Sequence, residues 1–247
     1  MNTFPNNLKE AVAQAKEATR LAIADGYKRL QIELVIPEIA LKAQALALEF
    51  AQEFEEYGSG VKVMFPDTGA AMLAKRDWGT KPFQVTDMGS RFTAVETQIA
   101  ETDEIFIVPC PSAVEVERVE KLCNLAGDRP VILLIPQLED VSIVGIGLAA
   151  RKLRDRFIST LYSCYYLRPL EEASILRCHP SSWQIWLETE SEYELATEVS
   201  NKPMGEELDR LLFKLTSPQE GAESTPSQRK KPGIFSNLQK FLRALSQ

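Results

Sequence analysis

Hydrophobic and polar positions in the first 140 residues alternate between a helical period and a strand period. Helical spacing of apolar residues predicts helices over residues 6–24, 38–57, about 67–77 and 112–126. Alternating or wholly apolar runs predict strands over residues 29–36, 61–65, 83–85, 105–108 and 131–135. The runs at 105–108 and 131–135 are apolar throughout, which is typical of strands buried on both faces. Strands that alternate with helices indicate βαβ units and a mostly parallel sheet between helical layers.

After Phe157 the pattern changes to short strand-like runs with brief connections. These runs cover residues 158–167, 173–178, 184–188 and 193–199, and a closing helix is predicted over 204–215. Connections of a few residues favour antiparallel pairing. We therefore predict an α/β fold with three layers, in which a mixed, mostly parallel sheet ends in antiparallel C-terminal edge strands. This domain is expected to span residues 5–216.

The last 31 residues, 217–247, have a different composition. Pro, Gly, Ser, Gln and Glu dominate residues 217–233, which predicts a flexible linker. Residues 234–247 place apolar side chains at helical spacing, which predicts a C-terminal amphipathic helix. The apolar stripe consists of Ile234, Phe235, Leu238, Phe241, Leu242 and Leu245. Five basic residues and no acidic residue accompany it: Arg229, Lys230, Lys231, Lys240 and Arg243.

An isolated helix of this length is marginal in water, so we expect residues 234–247 to order only against a surface. That surface is an anionic membrane, a groove of a partner protein, or the chain's own domain. In the membrane alternative, Lys230 and Lys231 contact anionic headgroups while the apolar stripe inserts. The three alternatives remain open on the sequence.

Composition excludes several classes of function. The net charge of −7 argues against nucleic-acid binding through phosphate neutralisation. The single histidine, His179, excludes zinc sites built from several histidines, and the P-loop signature Gly-x-x-x-x-Gly-Lys-Ser/Thr is missing. The four cysteines form no Cys-x-x-Cys pair, so we expect buried, reduced thiols. We expect no metal and no cofactor, and we expect His179 to be a surface turn residue beside Pro180.

The N-terminus resembles neither a signal peptide nor a transit peptide, and no apolar run is long enough to cross a bilayer. We therefore expect a protein of a reducing, cytoplasm-like compartment whose membrane contacts are peripheral. Three acidic residues, Asp67, Asp77 and Asp87, follow predicted strands or helix ends, where α/β proteins often bind ligands. Acidic residues at such positions more commonly cap helices and form turns, and we favour that role here.

One short motif fits a nucleotide-binding signature. Gly145-Ile-Gly147-Leu-Ala-Ala150 matches Gly-x-Gly-x-x-Gly/Ala, and Glu171 lies 21 residues beyond Ala150, where a carboxylate could bond a ribose. The preceding apolar run, 141–144, is very short, however, and the motif lies late in the chain. We therefore favour a packing role for the glycines. Binding of a nucleotide or a phosphorylated metabolite is the alternative.

A basic helix is predicted directly after this motif, with Arg151, Lys152, Arg154 and Arg156. These side chains form either a solvated face balanced by nearby carboxylates or a local positive patch for an anionic partner. In the second case the anion- or partner-binding residues are Gly145, Gly147, Arg151, Arg154 and Arg156.

Three stretches carry a resemblance to a known family: 128–140 (DRPVILLIPQLED), 144–151 (VGIGLAAR) and 164–170 (CYYLRPL). They resemble a cyanobacterial and chloroplast domain family that includes the low-photosystem-II-accumulation assembly factors and also follows adenylate kinase in a plastid protein. The resemblance covers about Leu8–Leu215. It implies an assembly factor that contacts photosystem II subunits or their membrane-insertion machinery, and it implies no catalytic residue.

We therefore expect a non-enzymatic assembly factor at the cytoplasmic face of the thylakoid. The C-terminal helix would provide transient anchorage, and the Arg151–Arg156 helix would contact a partner. Kinase activity is not implied, because the chain lacks the phosphate-binding loop of the kinase.

Overall fold

A computed structural model describes residues 3–89, 93–139, 147–189 and 192–216. The α-helices in these ranges are α1 (Leu8–Ala24), α2 (Ala43–Glu53), α3 (Thr68–Trp78), α4 (Val116–Ala126), α5 (Leu148–Arg156) and α6 (Gly205–Thr216). The strands are β1 (Arg29–Leu34), β2 (Val61–Phe65), β3 (Gln84–Asp87), β4 (Ile105–Pro109), β5 (Val131–Leu134), β6 (Tyr162–Pro169), β7 (Ala173–Cys178), β8 (Trp183–Glu188) and β9 (Tyr193–Val199). The apolar run 141–144, the linker and the C-terminal amphipathic helix lie outside the described residues.

The nine strands form one sheet in the order β3-β2-β4-β5-β1-β6-β7-β8-β9. The six strands from β3 to β6 in this order are parallel to their neighbours. The remaining three, β7, β8 and β9, are antiparallel. The predicted α/β class and the mixed sheet with an antiparallel C-terminal edge are therefore confirmed.

Helices cover both faces of the sheet. Helices α1, α2 and α3 pack on one face, and α4, α5 and α6 pack on the other. In β4, Ile107 packs on the side of the sheet covered by α1, α2 and α3. Its neighbours Phe106 and Val108 pack on the side covered by α4 and α5. A strand that is buried on both faces has no polar side to show, which explains its unbroken apolar sequence. No helix in these ranges is long and apolar enough to cross a membrane.

Two predicted helices have different bounds in the structure. The helix predicted over 38–57 is divided into a 3-10 helix at Ile39–Lys42, α2, and a 3-10 segment at Glu55–Gly60. Backbone outside the α-helical region at Lys42 (φ −95°, ψ 4°) and Phe54 (φ −116°, ψ 25°) separates these three segments.

The helix predicted from Ser112 begins at Val116 instead. The amide and the hydroxyl of Ser112 both donate to the Glu115 carboxylate, at 3.0 and 2.6 Å. Ser112 and Glu115 therefore close a separate turn that precedes α4.

A buried ion pair joins β2 to the segment that enters β4. The Lys62 ammonium lies 2.6 Å from the Asp103 carboxylate, and the two side chains are 6% and 0% exposed. Lys62 also donates to the carbonyl of Gln98 (2.9 Å), and Asp103 accepts from the amide of Ala100 (2.7 Å) and the side chain of Gln84 (3.2 Å). Each charge is therefore paired and further hydrogen-bonded.

We predict that Asp103→Ala lowers the free energy of unfolding by about 3–5 kcal/mol, because it leaves a buried ammonium without its counter-charge. The Lys62→Met/Asp103→Ala double variant should recover part of that loss. Urea denaturation measures both. Arg210→Ala, which removes an exposed ion pair with Glu206, should leave the midpoint unchanged. A double variant that is as unstable as Asp103→Ala would contradict the assignment.

Candidate functional site

The strand order places a change of direction between β2 and β4. The connection that leaves β2 leads outward to β3, whereas the connection that leaves β4 leads the other way to β5. In open α/β sheets, ligands bind at the carboxyl ends of the strands where such connections diverge. We call the residues that leave β1, β2, β4 and β5 at this end the carboxyl-end surface, and we take it as the candidate site.

The acidic residues at this end have local partners. The Asp67 carboxylate accepts the amide of Ala70 at 2.9 Å and caps α3. Asp87 accepts the hydroxyl of Thr68 and the amide of Gly89, both at 2.8 Å. These are the capping and turn-forming roles expected for them. The described part of the chain contains no group of His, Cys, Asp and Glu side chains that could hold a metal ion.

Strained backbone is concentrated at the same end of the sheet. Cys110 (φ 47°) directly follows β4, Ile135 (φ 52°) directly follows β5, and Glu38 (φ 60°) follows β1. Positive φ is unfavourable for side chains with a Cβ, and most of all for a β-branched residue such as isoleucine. Cross-strand hydrogen bonds hold the first two: the Cys110 amide donates to Leu134 (2.7 Å), and the Ile135 amide donates to Ile32 (2.8 Å).

Such residues persist only where the surrounding structure fixes them, and they cluster at functional sites. The one further non-glycine residue with positive φ in the described ranges is Glu172 (φ 59°), in the turn from β6 to β7. That turn also lies at the carboxyl end.

Large apolar side chains are exposed at this end. Val35 is 45% exposed, Leu41 78%, Val114 62% and Leu148 68%. They follow β1, β4 and β5, which are adjacent strands spaced about 4.8 Å apart. Single exposed apolar residues are ordinary, whereas several at one end of a fold are typical of an interaction surface. The carboxyl-end surface thus combines an apolar character with a strained, fixed backbone.

The nucleotide-binding motif is only partly described. Gly145 lies outside the described residues, Gly147 precedes α5, and Ala150 is buried. A Cβ at Gly147 would meet no described atom within 4 Å. No close approach to the described residues therefore requires a glycine here, contrary to the predicted packing role. Glu171 is exposed after β6, which β1 separates from β5. Nucleotide binding at this motif stays a prediction.

The basic residues of α5 divide into two pairs. Arg154 forms an ion pair with Glu139, and Arg156 donates two hydrogen bonds to Glu120, each 2.9 Å long. Within the described residues, Arg151 and Lys152 have no ion-pair partner, and both are exposed. The two alternatives predicted for this helix therefore apply to different halves. Carboxylates pair with the basic side chains of its last turn, whereas the basic side chains nearer its start remain unpaired within the described residues.

His179 is buried, so the prediction of a surface turn residue is wrong. Its Nδ1 lies 2.7 Å from the Tyr162 hydroxyl, and its Nε2 lies 2.9 Å from the Asp25 carboxylate. Arg177 donates to the Tyr162 oxygen at 3.0 Å. In the tautomer that carries its proton on Nε2, the imidazole accepts from the Tyr162 hydroxyl at Nδ1 and donates to Asp25 from Nε2. Sequence reasoning missed this cluster because the partners of His179 lie 17 and 154 residues away.

All four cysteines are free; Cys123, Cys164 and Cys178 are buried, as predicted, whereas Cys110 is half-buried. Burial raises the pKa of Cys110 to about 11 and the pKa values of Cys123 and Cys164 to about 12. A thiol with such a pKa stays protonated near neutral pH, and it is a poor nucleophile and metal ligand. The described geometry thus gives these thiols a packing role.

We predict that His179→Ala lowers the free energy of unfolding by about 3 kcal/mol, because it removes two hydrogen bonds and leaves a cavity. His179→Phe should lose less, since it keeps most of the volume. Ser181→Ala, in the same turn, should change stability little, and thermal denaturation compares the three. If His179→Ala and Ser181→Ala are equally stable, the hydrogen bonds of His179 do not support the fold.

Comparison with known proteins defines the family of the chain. No solved structure matches it. Residues 5–210, nearly the whole of the described body, match the family described as "Domain of unknown function (DUF1995)". The match covers β1 to β9 and the carboxyl-end surface. The chain belongs to the DUF1995 family.

Proposed function

We propose that the protein is a non-enzymatic accessory factor of photosystem II assembly. It binds membrane-protein partners through the carboxyl-end surface and is held at the cytoplasmic face of the thylakoid by its C-terminal segment. The observation that carries this proposal is the exposure of Val35, Leu41 and Val114 at the carboxyl ends of β1 and β4. The resemblance of 128–140, 144–151 and 164–170 to the low-photosystem-II-accumulation factors supports the choice of process.

The carboxyl-end surface suits an apolar partner. Fully burying a Val or Leu side chain stabilises a complex by about 1.5–3 kcal/mol, so several together offset part of the cost of association. Charged side chains such as Glu38 and Lys42 lie beside these apolar residues in the chain and would form a polar rim. Subunits of a membrane complex expose apolar segments until they are assembled, and such segments match this surface.

The sequence of the C-terminal segment supports reversible anchorage. Each basic residue near an anionic membrane adds about 1 kcal/mol to binding, and the apolar stripe adds insertion energy. An anchor of this strength attaches the protein without fixing it permanently. That property suits a factor that must leave the complex it has helped to build.

We predict that the triple variant Val35→Ser/Leu41→Ser/Val114→Ser keeps its fold, because all three side chains are exposed. Its capture of photosystem II subunits from solubilised membranes should fall at least about tenfold, since the apolar contact is lost. Immunoblotting of the captured material measures this.

The matched control is Leu21→Ser/Tyr57→Ser/Leu125→Ser. These residues are 43%, 39% and 40% exposed and precede β1, β2 and β5, at the amino ends of the parallel strands. Capture should persist in the control. Equal capture by the two triple variants would exclude the carboxyl-end surface as the binding surface.

We predict that removing residues 217–247 shifts the protein from the membrane fraction to the supernatant without changing its urea midpoint. The nine-stranded sheet ends before this segment, and the segment holds the basic and apolar residues of the anchor. Salt should release the full-length chain in part, because it screens the charges. Unchanged partitioning after the deletion would rule out anchorage by this segment.

A further inference from the structure

We propose that the exposed start of α5 rests on an anionic lipid bilayer, so that the folded body itself contacts the membrane. The contact consists of Leu148, Arg151 and Lys152. The inference extends the proposed function, because it gives the body an orientation on the membrane to which the C-terminal segment is proposed to bind.

One face of α5 is built for such a contact. Leu148, Arg151 and Lys152 are spaced by three and four residues, and all three are exposed. Ala150 and Leu153 are buried on the opposite face. Leu148 is 68% exposed and lies in the first turn, at the carboxyl end of the sheet. An apolar tip is thus flanked by two cations on long, flexible stems.

The charges of α5 favour this face over the rest of the helix. The ion pairs with Glu139 and Glu120 neutralise Arg154 and Arg156. Within the described part of the chain, Arg151 and Lys152 have no carboxylate within ion-pair distance. One exposed acid, Asp155, lies on the same face about one turn beyond Arg151. The uncompensated positive charge is therefore confined to the first turns.

A bilayer fits this pattern better than a protein groove. Long basic side chains can lay their stems along apolar surface and reach the headgroups with their charges, while a single Leu enters the acyl boundary. Val35 and Val114 are exposed at the same end of the sheet. A body that lies on the membrane through α5 therefore turns the carboxyl-end surface towards the place where membrane-protein segments emerge.

Two charge-matched variants of the full-length chain test the inference. Arg151→Gln/Lys152→Gln removes the unpaired cations, and Arg154→Gln/Arg156→Gln removes the paired cations. The probe is co-sedimentation with phosphatidylcholine vesicles with and without phosphatidylglycerol. Each basic residue at an anionic surface strengthens binding about fivefold, so the first variant should lose about 25- to 30-fold in affinity. The second should lose less than about threefold, and Leu148→Ser should weaken binding to the anionic vesicles as well.

The remaining outcomes overturn the proposal in distinguishable ways. Equal losses of vesicle affinity in the two charge variants would mean that binding depends on the net charge of the protein and not on the start of α5. No loss in either, with binding abolished by removal of residues 217–247, would leave the proposed anchorage intact and assign it to the C-terminal segment alone. If Arg151→Gln/Lys152→Gln impairs capture of photosystem II subunits but not vesicle binding, α5 contacts protein and not lipid.

Discussion

The parallel strands β2, β4 and β5 bury apolar side chains on both faces of the sheet, and this burial between two helical layers determines the rest of the structure. Because both faces are covered, the interior strands have no free surface for function. Only their ends and the connections remain accessible. The helices that seal the faces thus direct any interaction of the parallel part towards an end of the sheet.

At the carboxyl end of the sheet, the backbone conformation and the exposure of apolar side chains are not explained by packing of the core. Ile135 and Cys110 adopt backbone conformations that side chains avoid, and neighbouring strands hold them in place through hydrogen bonds. Apolar residues in the adjoining connections face outwards instead of joining the core. We therefore propose this apolar exposure as a binding surface.

Much of the fold could be predicted from the sequence, because helices and strands leave periodic patterns. The wholly apolar run at 105–108 and the short turns after Phe157 were sufficient to predict the mixed sheet. The bounds of α2 were not predictable from periodicity, since the helical pattern continues through Lys42 and Phe54, where the backbone leaves the α-helical region. Asp67 and Asp87 follow strands, and local chemistry alone accounts for their capping contacts.

The features that required the structure all depend on residues distant in sequence. His179 is buried by contacts with Asp25 and Tyr162, which no local pattern reveals. The sequence does not distinguish Arg151 from Arg154. In the structure, Glu139 forms an ion pair with Arg154 and not with Arg151.

The exposure of Val114 and Leu148 was equally hidden, because an apolar residue beside a helix start looks like a core residue. The sequence therefore supplied the candidate residues of α5, and the fold divided them into paired and unpaired charges. Membrane binding by residues 229–247 and the role in photosystem II assembly stay predictions.

Site-specific photo-cross-linking tests the central claim most directly. A photoreactive amino acid is placed at Val114, at the carboxyl end of the sheet, or at Leu125, in the last turn of α4 near the opposite end. Both variants are irradiated in membranes that are assembling photosystem II. We expect the probe at Val114 to form adducts with photosystem II subunits and the probe at Leu125 to form none. Adducts from Leu125 alone, or equally from both positions, would contradict the carboxyl-end surface as the site of binding.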